Sequence, residues 1–205
     1  MSSARALGLR LVHDPAPVLH TRCEPVRVFD AELRRLVREM YERCVEWHGV
    51  GLAATQVGLN RQIAVVVHEG HRFAMCNPEI VATSGEVDAV EGCLSLPHRA
   101  GLVRRAETVA LHYRNAQGRG IQRSLSGWLA RIVQHEADHL LGILCPERLA
   151  PGAVFGAIPE DGDGASLAEG AEPAGPSPDH AIPAEAGRLP AARGPGAAGR
   201  RRASR

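Results

Sequence analysis

Val133-Gln134-His135-Glu136-Ala137-Asp138-His139-Leu140 places two histidines four residues apart, with a glutamate directly after the first. On an α-helix, residues i and i+4 stand one above the other on the same face, so both imidazoles can reach one metal ion. Glu136 then sits close enough to exchange a proton with a water on that metal. The unit reads as hydrolysis by a metal-activated water, given a third ligand and one open position. The plain alternative is a surface helix with two solvated histidines and an acid. Its flanks argue otherwise. Ser126 is an N-cap candidate, Leu129, Ile132, Val133 and Leu140 form an apolar face, and Gly142 offers a C-terminal stop.

Two cysteines compete to be the third ligand. Cys145 completes the run His-Glu-x-x-His-x-x-Gly-x-x-Cys, at the place where metzincin proteases carry a third histidine. Cys93 lies upstream in Glu91-Gly92-Cys93-Leu94-Ser95-Leu96-Pro97, where Gly92 allows close backbone approach and Pro97 limits extension of any strand. A buried free thiol is the ordinary fate of either. Spacing leaves the choice open.

A third segment, Gly49-Val50-Gly51-Leu52-Ala53-Ala54-Thr55-Gln56-Val57-Gly58, follows a helix and is rich in small residues. Gly49 reads as the helix C-cap, and the small residues suit a backbone that approaches a ligand closely. Taken together, Gly-Val-Gly-Leu-Ala-Ala-Thr-Gln, Glu-Gly-Cys-Leu-Ser and Gln-His-Glu-Ala-Asp-His-Leu resemble the three signature motifs of the peptide deformylases. Their order and spacing match as well. The similarity runs from Leu9 to Leu149.

That resemblance implies an α+β fold in which antiparallel strands wrap around a central helix carrying the HExxH unit. It implies one divalent metal ion per chain, held by Cys93, His135 and His139. Ferrous iron is the family's usual ion, although a thiolate and two imidazoles also suit Zn²⁺, Ni²⁺ and Co²⁺. Glu136 would be the general base and acid, with the Gln56 amide and the Leu94 backbone N–H facing the developing oxyanion. Substrate would lie extended against the backbone near Val50 and Gly92. Its methionine side chain would enter a pocket bounded by Gly49, Gly51, Trp128, Ile132 and His135. Glu91 takes a structural role with Arg105 as its partner. The implied activity is removal of the N-formyl group from N-formylmethionyl nascent peptides, in the cytoplasm, with transient contact to the ribosome.

Two rivals differ in class. A zinc endopeptidase needs a third ligand downstream of His139 and usually a secreted precursor. A catalytically silent descendant would bind metal or the ribosome without turnover. The full set of motif residues is present, which argues for the active enzyme.

Composition bounds the rest. A chain of 205 residues suggests one domain, and a net charge of +1 argues against a dedicated nucleic-acid binder. No apolar run approaches a membrane span. Five cysteines at scattered positions fit a reducing compartment, and all basic side chains are arginine. Met1 to Val12 carries two arginines and no acid, which reads as a frayed terminus rather than a presequence.

A helix is expected to open at Asp30, carry a core stripe of Leu33, Leu36, Val37, Met40, Tyr41, Cys44 and Val45, and end at Gly49. Short strands are expected over Ile63–Val67, Phe73–Cys76, Glu86–Val90, Thr108–Tyr113 and Ile121–Leu125, with turns at Asn-Pro, Ser-Gly and Asn115–Gly118. The catalytic domain should span 1–150. From 151 to 205 Ala, Gly and Pro dominate and periodicity disappears, so this tail reads as disordered. Its acids come first and its arginines last, and it does not resemble the C-terminal helix by which some deformylases dock near the ribosomal exit.

Overall fold

The computed structural model describes residues 7–157. Helix α1 runs Ala31–Glu46, and the Asp30 carboxylate caps it by accepting the Leu33 N–H at 2.9 Å. Leu33, Leu36, Val37, Met40 and Cys44 form its buried stripe. The helix is capped at Trp47, two residues earlier than expected. His48 adopts the left-handed conformation (φ 56°), and the Gly49 N–H closes the turn onto Cys44 O. Gly49 is needed for a different reason: a Cβ there would lie 2.9 Å from Leu94 Cδ1.

Strands β1 (Gly51–Ala53), β2 (Ile63–His68), β3 (His71–Ser84), β6 (Thr108–Arg114) and β7 (Gly120–Ser126) form an antiparallel sheet in the order β1-β2-β3-β6-β7. Strands β4 (Val87–Cys93), β5 (Leu96–Arg105) and β8 (Gly156–Ala157) form a second. Helix α2 spans Gly127–Leu141 and carries the HExxH unit. Ser126 sits at its N-cap without a side-chain bond, and Gly142 closes it at φ 77°.

Alternation along β2 explains how both helices are seated. Ile63 and Val65 join the cluster under α1, whereas Ala64 and Val66 join the one under α2. Leu52 and Ala53 of β1 divide in the same way. Side chains of period two therefore glue a helix to each face of the sheet. Each large apolar side chain so buried contributes about 1.5–3 kcal/mol. The other side of α2 is polar and bonds to the second sheet, where Arg131 donates to Val103 O and Val87 O.

Three expectations need correction. The first concerns β3, which does not stop at Cys76. It passes through Asn77-Pro78 by register shifts after Cys76 and after Ile80, and Asn77 sits at φ 52° with its amide bonded to both Val26 N and Val26 O. The second is β5, which runs through Pro97, where that residue was expected to limit the extension of any strand. Pro97 is only its second residue and is exposed, so the missing N–H costs little. The third is the domain edge at residue 150. Phe155 is 7% exposed in a cluster with Leu19, Leu96, Val103, Leu144 and Cys145, and β8 pairs with Arg99 and Ala100. The reading of the later tail and of the first six residues falls outside the described residues.

Candidate metal centre and active site

Helix α2 presents His135 and His139 one turn apart, their rings edge to face with centroids 4.9 Å apart. Cys93, the last residue of β4, arrives from the second sheet and sets its Sγ 3.3 Å from His139 Nε2. One ligand atom from each of Cys93, His135 and His139 lies within 4.8 Å of the other two. Among the described residues this is the one cluster of three such donors. A thiolate and two imidazole nitrogens fit a divalent transition ion. Glu136 Oε2, on the residue after His135, is buried without a protein partner, and so is His139 Nδ1, on the side of its ring away from Cys93. Orphaned groups of that kind call for an unseen ion or water.

Cys145 is nearby but differently placed. It sits in the short 3₁₀-helix Cys145–Arg148, in the buried cluster against which Cys93 packs, and outside the cluster of three donors. That neighbour, with the imidazoles, holds the Cys93 pKa well below the ordinary thiol range despite burial. Cys145 itself is pushed the other way, by the Cys93 sulfur and by burial.

A buried charge network sets the His135 ring. Glu91 accepts from Arg105 Nε and Nη2 at 2.9 Å, Arg131 Nη1 at 2.6 Å and His135 Nδ1 at 2.9 Å. With Nδ1 so bonded, Nε2 is the nitrogen left for a metal. Burial pushes the Glu91 carboxyl up, but His135 and Arg105 outweigh it and keep it well below the usual carboxylate range. Burial likewise opposes charge on His135, and Cys93 and Glu91 outweigh it and raise its pKa. Asp138, one residue before His139, accepts from Arg105 and Arg148. Sequence reasoning missed Arg131, Asp138 and Arg148. Only Arg131 left a signal, since it precedes His135 by four residues and shares its helix face.

Glu136 is 3% exposed, and burial raises its pKa to about 7, with His135 and His139 opposing. It lies against Gly51, where a Cβ would meet its carboxylate. Gln56, in the 3₁₀-helix Ala54–Val57, accepts the Ala53 N–H through Oε1 at 2.8 Å, which turns Nε2 toward Cys93 Sγ at 3.6 Å. Leu94 is half-buried against the α1 cluster and Gly49. Val50 and Gly92 are exposed. Val50 O is already engaged by the Val67 N–H, and Gly92 lies opposite Ala100 in the β4–β5 pair. Trp128 lies under the Arg131 guanidinium at 5.6 Å, while Ile132 belongs to the core against the large sheet. Two cavities of about 530 and 340 Å³ lie elsewhere, and neither is lined by Cys93, His135 or His139.

Residues 9–153 match the polypeptide deformylase family. Peptide deformylase 1 of Bacillus subtilis is 43% identical over 143 residues, covering 69% of this chain and 89% of that protein. The crystal structure of peptide deformylase from Thermotoga maritima superposes with a TM-score of 0.69 at 36% identity, over 70% of this chain and 98% of that one. A Met-Ala-Ser-bound peptide deformylase from Acinetobacter baumannii gives 0.68 at 34%, over 71% and 100%. No described helix is long and apolar enough to cross a membrane. On family match, identity and fold together, the chain belongs to the polypeptide deformylases.

Proposed function

We propose that Cys93, His135 and His139 hold one divalent ion per chain, ferrous in the cell, and that Glu136 moves the protons of the reaction beside it. The chain is a hydrolase of newly made polypeptides: it adds water across the N-formyl amide and releases formate and a free amino terminus. When bound, the ion supplies a Lewis acid and lowers the pKa of a coordinated water. The observation that carries the residue assignment is the convergence of the three donors with a buried Glu136 whose Oε2 lacks a partner.

In this reading Glu136 accepts a proton from the attacking water and passes it to the departing amine. Burial, which raises this carboxyl above the ordinary range, favours its taking up a proton. The Gln56 Nε2–H₂, aimed at the centre by its bond through Oε1, stabilises charge gathering on the formyl oxygen, together with the Leu94 N–H. Glu91 and Arg105 hold the His135 ring in place. An extended formyl-methionyl chain runs past Val50 and Gly92, its methionine side chain near Gly49, Gly51, Trp128 and Ile132. The Met-Ala-Ser bound to the Acinetobacter protein supports that class of substrate. With one side of α2 on the large sheet and the other bonded to β4 and β5, α2 is the central helix of this arrangement. We propose that the enzyme works in the cytoplasm, in transient contact with the ribosome, where formylated nascent chains emerge.

The test is formate release from formyl-Met-Ala-Ser by ferrous and zinc forms purified without oxygen, with Glu136→Gln as control. Turnover abolished in the control and faster with ferrous iron is the expected result. Equal turnover by the control would overturn the role of Glu136, and a faster zinc form would overturn the choice of metal.

A further inference from the structure

The Cys145 thiol has no part in the chemistry above, yet it belongs to the cluster against which the one cysteine that does is packed. Cys145 is 2% exposed and belongs to the apolar cluster of Leu19, Leu96, Val103, Leu144 and Phe155, on which Cys93 also rests. Both residues are free thiols. Their access differs. Cys93 is half-buried, whereas Cys145 is fully buried. Of the two, Cys93 is the more exposed, and Cys145 is the thiol that shares its cluster. Cys23, Cys44 and Cys76 belong to the other two clusters.

We propose that Cys145 is the resolving thiol of a redox modification site, in which a peroxide links Cys93 to Cys145 as a disulfide and so takes away a metal ligand. Hydrogen peroxide first converts the Cys93 thiol to a sulfenic acid and is itself reduced to water. The Cys145 sulfur then attacks the Cys93 sulfur, the S–S bond forms, and the hydroxyl leaves as a second water with the Cys145 proton. Two thiols lose two electrons in total, and one peroxide gains them. A disulfide sulfur is no longer an anionic donor, so the centre is left with two imidazoles and releases its ion. Thiol reductants reverse the bond, while the alternative products, sulfinic and sulfonic acid, are irreversible to them. Cys145 thus guards Cys93 from irreversible oxidation.

The loss of metal rests on Cys93 being a ligand, as proposed above, whereas the thiol linkage does not, and the experiment separates the two. The full-length protein is loaded with zinc, treated with hydrogen peroxide, and followed by intact mass, peptide mapping and zinc release. Expected are a mass lower by about 2 Da, a Cys93–Cys145 linked peptide and release of about one zinc per chain, all reversed by dithiothreitol and zinc. Cys145→Ala should instead gain about 32 or 48 Da on Cys93, with no recovery on reduction. Oxygenated Cys93 in the wild type with Cys145 still open to alkylation would overturn the proposal, as would a link to any other cysteine. A Cys93–Cys145 link formed while zinc stays bound would instead overturn the ligand role of Cys93 and, with it, the metal-releasing half of the proposal.

Discussion

A Cβ on Gly51 would lie 2.2 Å from Glu136 Oε1, well inside any tolerated contact. The glycine of β1 is therefore the floor on which the carboxylate rests. Gly51→Ala should displace Glu136 while leaving Cys93, His135 and His139 in place. A shift of that size predicts a fall in kcat of about 10²-fold with metal content unchanged. Metal analysis beside steady-state kinetics checks it, and loss of metal would show a wider disturbance.

Glu136→Gln keeps the shape of the side chain and removes its basicity. Turnover should fall by about 10²-fold or more at unchanged metal content. Formate release and elemental analysis on the same preparation decide the matter.

Cys93→Ala and Cys145→Ala separate the two candidate thiols. The first should lose the metal, because its sulfur lies within 4.8 Å of both imidazole donors. The second should keep it and lose no more than about 1–2 kcal/mol of stability from a small buried cavity. Zinc stoichiometry after dialysis is the readout. The reverse pattern would assign the third ligand downstream of His139.

Arg105 joins Glu91 to Asp138 in a buried network. Arg105→Ala leaves two buried carboxylates short of their partner and should cost about 3–5 kcal/mol. Urea unfolding of the metal-loaded protein measures this, and a loss under about 1 kcal/mol would mean that Arg131 and Arg148 carry the network without it.

Glu39 is buried and accepts the Leu7 and Leu9 N–H groups. Burial raises its pKa, but these backbone donors outweigh burial and the net shift is downward. A carboxyl depressed in the folded state contributes stability above its unfolded pKa of about 4.3 and loses it as pH falls through the folded value. Glu39→Gln should therefore lower Tm by a few degrees at pH 7, and by less as pH falls below about 4. A Tm difference that does not vary with pH would contradict this linkage.

Truncation places the edge of the folded unit. A chain ending at Ala157 should keep its Tm. A chain ending at Leu149 loses the buried Phe155 and the β8 pairing, and should be less stable by about 3 kcal/mol or more.

Much of this was legible because it is local. A period of 3.6 located α1 and α2, Asp30 announced its cap, and the i, i+4 spacing put His135 and His139 on one face before any fold was known. The strands were less legible. Alternate residues of β2 face different helices, so Ile63 to Val67 are all apolar and the two faces cannot be told apart by pattern. β3 crosses an Asn-Pro pair, and β5 begins at a Leu-Pro pair. Both pairs normally mark turns, and here a bulge and an exposed position absorb them.

By itself the sequence determined what each helix presents: two imidazoles and a carboxylate within two turns of α2, because residue spacing along a helix is a fixed geometry. Spacing alone left Cys93 and Cys145 open, the motif resemblance implied Cys93, and only the tertiary structure supplies the physical reason. Cys93 and Cys145 flank the same two histidines, and it is the end of β4, held by its pairing with β5, that brings Cys93 Sγ to the imidazoles and leaves Cys145 outside the cluster of three. The same holds for Glu91, joined to α2 through Arg131 and His135. Contacts between distant segments depend on strand register and packing, and neither is written in the spacing of any one segment.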